Sequence, residues 1–350
     1  MLNYLIRRIL YMVPILLGVM VITFILFYLV NRPETMALRI LGPKAPPQAV
    51  ENWLRNRGYD KPVYLNVDPS GSSLTRFLVY GTFDKSAAEK PRFQEEKPVF
   101  DSQFFNSIKN FATLNLGISD ATDEPVIDMI RRGILPSLMI TLPAFVLGLV
   151  LSLLGSLLLV FVRDSLLDKW GTVFFVATMS IPIIVYVIFG QWIAATLFGY
   201  FPAFGFNMEG FSTIRFLALP VVVMVFAGLG SDVRLYRAIF LEEIKADYIR
   251  TAHAKGASGA RVLLVHVLKN GLIPIITMVV ASLPFLIMGT LVVENFFGIP
   301  GLGNMTTNAI TTMDFSLIRA NVYIGSILFL LGLLLTDICY AAADPRIRLQ

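Results

Sequence analysis

The sequence has little charge, one cysteine and two histidines, and each shortage excludes a class of protein. Charged residues make up 15% of the 350 positions, hydrophobic residues make up 56%, and the mean hydropathy is +0.70. Soluble domains carry about 25% charged residues, so a water-soluble core could not hide this apolar excess. Cys339 has no second cysteine for an intrachain disulfide. His253 and His266 are too far apart for a helical metal pair.

Motifs that would give the chain chemistry of its own are also missing. No G-x-x-x-x-G-K-[ST] phosphate-binding loop is present, since the run GIPGLGNMTT lacks the required lysine. There is no H-E-x-x-H motif and no G-x-S-x-G nucleophile elbow. We therefore predict no enzyme activity, no catalytic residue and no metal site, and ATP would have to be bound by another chain.

What the sequence does contain is a series of apolar segments long enough to cross a bilayer, which takes about 20 residues. The six segments are about 9–30, 134–162, 170–199, 214–233, 271–297 and 320–343. They predict an all-α polytopic membrane protein with six transmembrane helices. The first segment exceeds the roughly 7–15 apolar residues of a signal peptide, so we expect it to be retained.

The distribution of basic residues predicts the orientation, because Lys and Arg accumulate in short cytoplasmic loops. With the N-terminus inside, the short outside loops hold only Arg215 and Arg319. We therefore predict that both termini are cytoplasmic. The expected organisation is a first transmembrane helix (1–30), a periplasmic segment (31–133) and a five-helix transmembrane domain (134–350).

The periplasmic segment has a mixed composition, and its apolar pattern does not predict an independent core. Residues Gln48–Arg57 are expected to form a short helix, and the charged stretch Lys85–Lys97 to be solvated. We expect a small subdomain packed against the membrane part.

The longest inside loop, 234–270, predicts two helices joined by a turn at Gly256–Gly259. A turn of small residues lets the surface of another protein approach the backbone closely. Charged residues around the turn could orient such a partner. The pattern alone is equally typical of an ordinary solvated loop.

Within this loop, DYIRTAHAKGAS followed by HVLKNGLIP resembles permeases of the dipeptide/oligopeptide/nickel family of ABC importers. In that family the loop carries a coupling helix that docks on the ATPase subunit. His253 departs from the family, which usually has arginine there. The positions to which we assign ATPase coupling are Glu243, Asp247, Tyr248, Arg250, Thr251, Ala252, His253, Ala254, Lys255, Gly256 and Ala257.

The resemblance extends along most of the chain, through YLIRR near the start, PVIDMIRRGILPSLMITL, VENFF with PGLG, and DPRIR near the end. It is specific to the B-type permease, which has a long first periplasmic segment, and it is weak over about 66–110, where the chain carries an insertion. It implies the type I ABC importer permease fold, in the bacterial inner membrane.

The resemblance also implies a mechanism and partners. The chain would form half of an alternating-access pathway for peptides or related solutes such as nickel complexes. Its partners would be a C-type permease, two ATPase subunits and a periplasmic binding protein, with ATP and Mg in the ATPases. No cofactor in this chain and no nucleic-acid partner are expected.

Three sites near the ends of spans have both a functional and a structural interpretation. Glu294 could belong to a gate or contact the binding protein, or simply face water. Phe296 and Phe297 would be an interfacial anchor by composition and an external gate by resemblance. Asp337, within the last span, could pair with a basic residue or line the pathway.

Two other classes of protein are possible alternatives. A self-contained secondary transporter would show inverted repeats with broken helices, and no convincing repeat is visible. A membrane-embedded enzyme would need a cluster of polar groups at one depth, which the sequence does not reveal.

Overall fold

The computed structural model describes residues 2–30, 33–70, 72–81, 97–194, 199, 201–208, 210 and 212–343. Within these ranges the regular structure is helical, and the only β-type pairing is an isolated bridge between Ile118 and Pro125. The predicted all-α fold class is confirmed. The terminal motif at 344–348 and residues 85–96 of the charged stretch lie outside the described residues.

The described helices follow one another along the chain. In order they are α1 (Leu2–Val30), α2 (Pro33–Leu41), α3 (Pro47–Asn56), α4 (Ser73–Tyr80), α5 (Gln103–Ala112), α6 (Val126–Phe161), α7 (Leu166–Met179), α8 (Ile183–Ile193), α9 (Ser212–Glu243), α10 (Asp247–Ala254), α11 (Gly259–Arg261), α12 (Leu268–Ser282), α13 (Leu291–Phe297), α14 (Leu302–Thr312) and α15 (Phe315–Ala343). A π-helical turn (Val262–Val267) joins α11 to α12, and a 3-10 turn (Leu283–Met288) follows α12.

Among the residues that the structure describes, five helical stretches are long and apolar enough to cross a membrane. In their most apolar windows only 17% to 39% of the residues are buried within the chain. Lipid can cover the exposed apolar side chains, and helices satisfy their own backbone groups there. The chain is thus a multi-pass membrane protein. The five stretches are Ile6–Phe27, Val126–Phe161, Ser212–Glu243, Gly259–Met288 and Phe315–Cys339.

The third predicted span, 170–199, is not one straight helix, which corrects the sequence-based expectation. α7 and α8 pass the length and apolarity test only together, and they are bent by 96° at the break between them. Pro182 precedes α8. A proline disfavours the helical conformation of the residue before it and lacks an N–H, so the helix is interrupted here. The chain has six spans if this bent pair crosses the membrane.

The fifth predicted span, 271–297, is also placed differently. Its helical stretch begins at Gly259 and ends at Met288, and α13 is a separate short helix. Gly289 ends the helical conformation, because its φ is +70°, which glycine adopts without steric cost. Glu294 and the two phenylalanines after it therefore lie beyond the end of this span.

The described residues fall into two compact units, one within 1–5, 130–308 and 328–350, and the other within 6–129 and 309–327. Two buried apolar clusters form the core of the first unit. One is built around Phe240, Val267 and Ile275, and the other around Ile140 and Phe297.

The second unit contains the helices of the predicted periplasmic segment. The expected helix over Gln48–Arg57 is confirmed as α3. Its Trp53 and Leu54 are buried against Met36 of α2, and the Trp53 ring stacks on Tyr59 with the centroids 5.8 Å apart. The sequence did not predict this small core, because neither short helix has enough apolar residues to indicate one.

Candidate functional site

The loop after α9 forms a short helix followed by a sharp turn. α9 continues to Glu243, about ten residues past the predicted end of the fourth span. The separate helix α10 ends at Ala254, and the chain then passes through Gly256 with a φ of +81°. This left-handed conformation favours glycine. The predicted helix, turn and second helix are confirmed.

One side of α10 is packed into the first unit. Ile249 and Ala252 are 2% and 8% exposed, and they lie in one apolar cluster with Phe240 of α9 and with Val262 and Val267 of the π-helical turn. Burying an isoleucine side chain is worth about 1.5–3 kcal/mol. A force applied to α10 would therefore move α9 and the next helical stretch with it.

The other side of α10 and the turn after it are open to solvent. Apart from its two chain neighbours, no heavy atom of the described residues lies within 4 Å of the position that a Cβ on Gly256 would occupy. Arg250 Nη1 lies 3.7 Å from Asp247 Oδ1, and their side chains are 81% and 96% exposed. Such a pair contributes little stability, so both charges are available to a partner. The exposed residues are Asp247, Tyr248, Arg250, Thr251, His253, Ala254, Lys255 and Gly256.

The remaining predicted coupling residues support this surface from within the chain. The Tyr248 hydroxyl donates a hydrogen bond to the Glu243 carboxylate and so ties α10 to the end of α9. Burial and this neighbouring carboxylate raise the pKa of Tyr248. Ala252 and Ala257 face the apolar cluster instead of the solvent.

An ion pair that the sequence did not predict joins α7 to α9. Arg237 Nε donates to Asp168 Oδ1 at 3.1 Å, and Nη2 donates to both carboxylate oxygens at 2.8 Å. Their side chains are 23% and 8% exposed. The Ser165 hydroxyl caps α7 by accepting a hydrogen bond from the Asp168 N–H. The Asp168 carboxylate therefore lies in the first turn of this helix. The bidentate geometry fixes the orientation of α9 about two turns before it ends.

Glu294 holds together the loops beyond the fifth span. Its Oε1 accepts from the Ser137 hydroxyl at 2.8 Å and from the Thr290 N–H at 2.9 Å, and its Oε2 accepts from the Asn304 N–H at 3.1 Å. Ser137 Oγ in turn accepts from the Leu302 N–H at 2.8 Å. Glu294 is 0% exposed, so exposure to water does not account for it. Burial raises its pKa, and the hydrogen bonds that it accepts partly offset this shift.

Glycines make this network possible by letting the backbone approach the carboxylate. A Cβ on Gly289 would lie 2.0 Å from Glu294 Oε1, and one on Gly301 would lie 2.3 Å from Oε2. Real Cβ atoms essentially never come within 3.0 Å of another heavy atom. Gly301 lies in the PGLG stretch and Ser137 in the stretch PVIDMIRRGILPSLMITL, both of which carry the family resemblance, whereas Gly289 lies outside the quoted motifs. Nothing in the sequence indicated that these residues meet around Glu294.

The two gate candidates that follow Glu294 have different environments. Phe297 is 2% exposed and belongs to the apolar core. Phe296 is 36% exposed, and its carbonyl accepts a hydrogen bond from Gln191 Nε2 at 2.9 Å. In this conformation only Phe296 of the pair is available at the surface.

Asp337 lies in α15 within the last span, is half-buried, and interacts with at least one neighbouring group. The pairing and pathway interpretations of this residue both stay predictions. Across the described ranges, no group of three or more His, Cys, Asp or Glu side chains is placed to hold a metal ion.

Comparison with protein families assigns the chain to a class. Residues 152–349 match the family described as binding-protein-dependent transport system inner membrane component. Residues 1–69 match the N-terminal region described for the membrane components of such systems. Because the first match covers more than half of the chain, this protein belongs to the family of binding-protein-dependent transport system inner membrane components.

Known relatives align over almost the whole length. The dipeptide transport system permease protein DppB of Alkalihalophilus pseudofirmus is 26% identical over 99% of this chain and 100% of its own. The glutathione transport system permease protein GsiC of Shigella flexneri serotype 5b is 28% identical over 99% of both chains. A solved structure of the MetNI methionine ABC transporter, in inward-facing conformations, matches with a TM-score of 0.48 and 19% identity, covering 63% of this chain and 99% of that chain.

The family match and the apolar helices together define a transmembrane permease subunit of an ABC importer. The sequence-based assignment to this class is confirmed. The alternative of a self-contained secondary transporter is not favoured.

Proposed function

We propose that this chain forms one half of the translocation pathway of a bacterial peptide importer. The relatives named for dipeptide and glutathione transport support small peptides as the substrate class. The basic residues of the short loops support an orientation in the inner membrane with both termini in the cytoplasm.

The complete importer would contain four further subunits of three kinds. A related C-type permease completes the pathway, two ATPase subunits bind ATP and Mg, and a periplasmic binding protein delivers the peptide. The absence of a phosphate-binding loop in this sequence supports the assignment of ATP hydrolysis to other chains.

The single observation that carries this proposal is the two-sided character of α10. Its outer side offers an exposed glycine and a weak, exposed ion pair to a partner, and its inner side is buried against α9. Closure of the ATPase subunits would push α10, and the buried Ile249 would transmit the displacement to α9. The Arg237–Asp168 ion pair would then carry it on to α7.

The network around Glu294 would serve the outer end of the pathway. An external gate needs a rigid support, and the buried carboxylate joins α6, α13 and the start of α14. Phe296, two residues after Glu294 and partly exposed, would be the movable element of such a gate.

The proposal is tested by enlarging the exposed turn without straining it. Asparagine tolerates the left-handed conformation, so Gly256→Asn keeps the fold while placing a side chain in the open space beside α10. We expect peptide uptake by proteoliposomes containing the assembled importer to fall about tenfold or more, which corresponds to ~1.4 kcal/mol of lost docking or coupling energy. Thermal stability of the permease should stay unchanged.

Gly210→Asn is the matched control. Gly210 has a φ of +57° and also has no atom within 4 Å of its Cβ position, but it lies outside the coupling loop. Wild-type transport by Gly256→Asn, or an equal loss in both variants, would contradict a docking role for this turn.

A further inference from the structure

A cavity of about 620 Å³ lies within the unit formed by 6–129 and 309–327. Its wall includes Phe24 and Phe27 at the end of the first span and Arg319 and Tyr323 in the first turns of the last span. The rest of the wall comes from α2, from the segment between the end of α3 and the start of α6, and from other residues in the first turns of α15. Because the ends of two spans line it, the cavity sits at the boundary between membrane and water.

The cavity wall carries positive charge. Four basic side chains line it, and none of its described lining residues is acidic. Two of the four are paired with carboxylates that do not line the cavity: Arg57 Nε lies 3.3 Å from Asp120 Oδ1, and Lys61 Nζ donates to Asp101 Oδ1 at 2.7 Å.

The other two basic residues, Lys109 and Arg319, lack a carboxylate partner within 4 Å among the described residues. Arg319 donates hydrogen bonds only to neutral oxygen atoms, each 3.3 Å long, and it shares the more distant Asp120 carboxylate with Arg57 by electrostatic attraction. Lys109 is exposed, and its ammonium makes no hydrogen bond or ion pair within the described ranges. A ligand with a negative charge would therefore be favoured in this cavity.

Two further features favour a ligand that is amphipathic as well as anionic. The Tyr323 side chain is 6% exposed, and its hydroxyl has no hydrogen-bond partner among the described residues, so a donor or acceptor on the ligand could pair with it. At the rim, Leu114 and Ile118 are 62% and 52% exposed. Neither apolar side chain would contribute to binding a free phosphate ion.

We propose that this cavity binds an anionic phospholipid, with the phosphate near Lys109 and Arg319 and the acyl chains along Leu114 and Ile118. Basic pockets between membrane helices recognise lipid headgroups in this way, and each Lys or Arg near an anionic membrane surface contributes roughly fivefold in affinity. The bound lipid would fasten the start of the last span to the segment that follows the first span. This site is separate from peptide import and from the coupling loop.

Lipid binding can be measured by native mass spectrometry of the purified importer titrated with dioleoyl phosphatidylglycerol or dioleoyl phosphatidylcholine. Wild type should bind the anionic lipid more tightly. Lys109→Glu removes one positive charge and adds a negative one, so its affinity for phosphatidylglycerol should fall about 25-fold. Since Lys109 is exposed, this variant should fold normally. Lys44→Glu, an exposed lysine of the same unit that does not line the cavity, is the matched control and should bind as wild type does.

Three outcomes would overturn the proposal. Equal affinity for the two lipids would remove the requirement for a negative charge. An equal effect of Lys109→Glu and Lys44→Glu would place the lipid elsewhere. If inorganic phosphate displaced phosphatidylglycerol and stabilised the importer against heat to the same extent, the ligand would be a soluble anion and not a lipid.

Discussion

Replacement of Gly301 by alanine should destabilise the protein strongly, because the added methyl group has no space. The new Cβ would lie 2.3 Å from Glu294 Oε2 and 2.4 Å from Ser137 Oγ. Both side chains are buried and their oxygens already take part in hydrogen bonds, so neither can withdraw without breaking the network. Overpacking a buried site costs about 1–3 kcal/mol. Leaving a buried polar group unpaired costs about 1–3 kcal/mol more.

We therefore expect Gly301→Ala to lower the free energy of unfolding by roughly 2–6 kcal/mol. The free energy can be measured by denaturant titration of the purified permease in detergent micelles. Gly148→Ala in α6 is the matched control, because no atom lies within 4 Å of its Cβ position. In a helix, that change should be neutral or stabilising by up to about 1 kcal/mol. Similar stability of Gly301→Ala and wild type would refute the close packing of this network.

Two further predictions concern buried charges. Burial raises the pKa of Glu294, so the folded chain keeps a proton that the unfolded chain releases above the ordinary glutamate pKa of about 4.3. As the pH rises above this value, the free energy of unfolding should therefore fall in wild type but not in Glu294→Gln. The same pH dependence of the unfolding free energy in both proteins between about pH 4 and pH 8 would contradict this. Arg237→Ala leaves the Asp168 carboxylate, 8% exposed, without its cation and should cost about 2–4 kcal/mol in the same titration. Arg234→Ala, on the exposed side of the same helix, should cost within about 0.5 kcal/mol, and equal losses would show that the ion pair contributes nothing.

Much of the fold could be predicted because apolar segment length reports directly on membrane spans. The errors arose where single residues interrupt an apolar run. Pro182 breaks the third span and Gly289 ends the fifth, yet the residues on both sides of each break are apolar and look continuous. Helical structure past the fourth span was expected, but the break between α9 at Glu243 and α10 at Asp247 was not.

The helix and turn that we propose for coupling were predictable because their residues are contiguous in the sequence. Gly256 marks the turn, and the helix formers before it define α10. The buried pairs were not predictable in this way. Arg237 is 69 residues from Asp168, and Glu294 is 157 residues from Ser137. No periodicity in one sequence links such distant partners, and only the packing of helices brings them together.

The central claim, that a separate ATPase docks on the exposed side of α10, can be tested by cross-linking. Cys339 is the only cysteine in the sequence, so Cys339→Ser provides a cysteine-free background. Lys255→Cys would then place a single thiol at the exposed end of α10, and Lys44→Cys would place one in the other unit as a control.

The importer would be purified from its native membrane after treatment with a bifunctional thiol reagent. We expect the Lys255→Cys chain, and not the Lys44→Cys chain, to be linked to a polypeptide that mass spectrometry identifies as an ATPase, in a preparation with vanadate-sensitive ATP hydrolysis. Recovery of an intact, transport-competent chain with no cross-linked ATPase and no ATP hydrolysis would contradict the account.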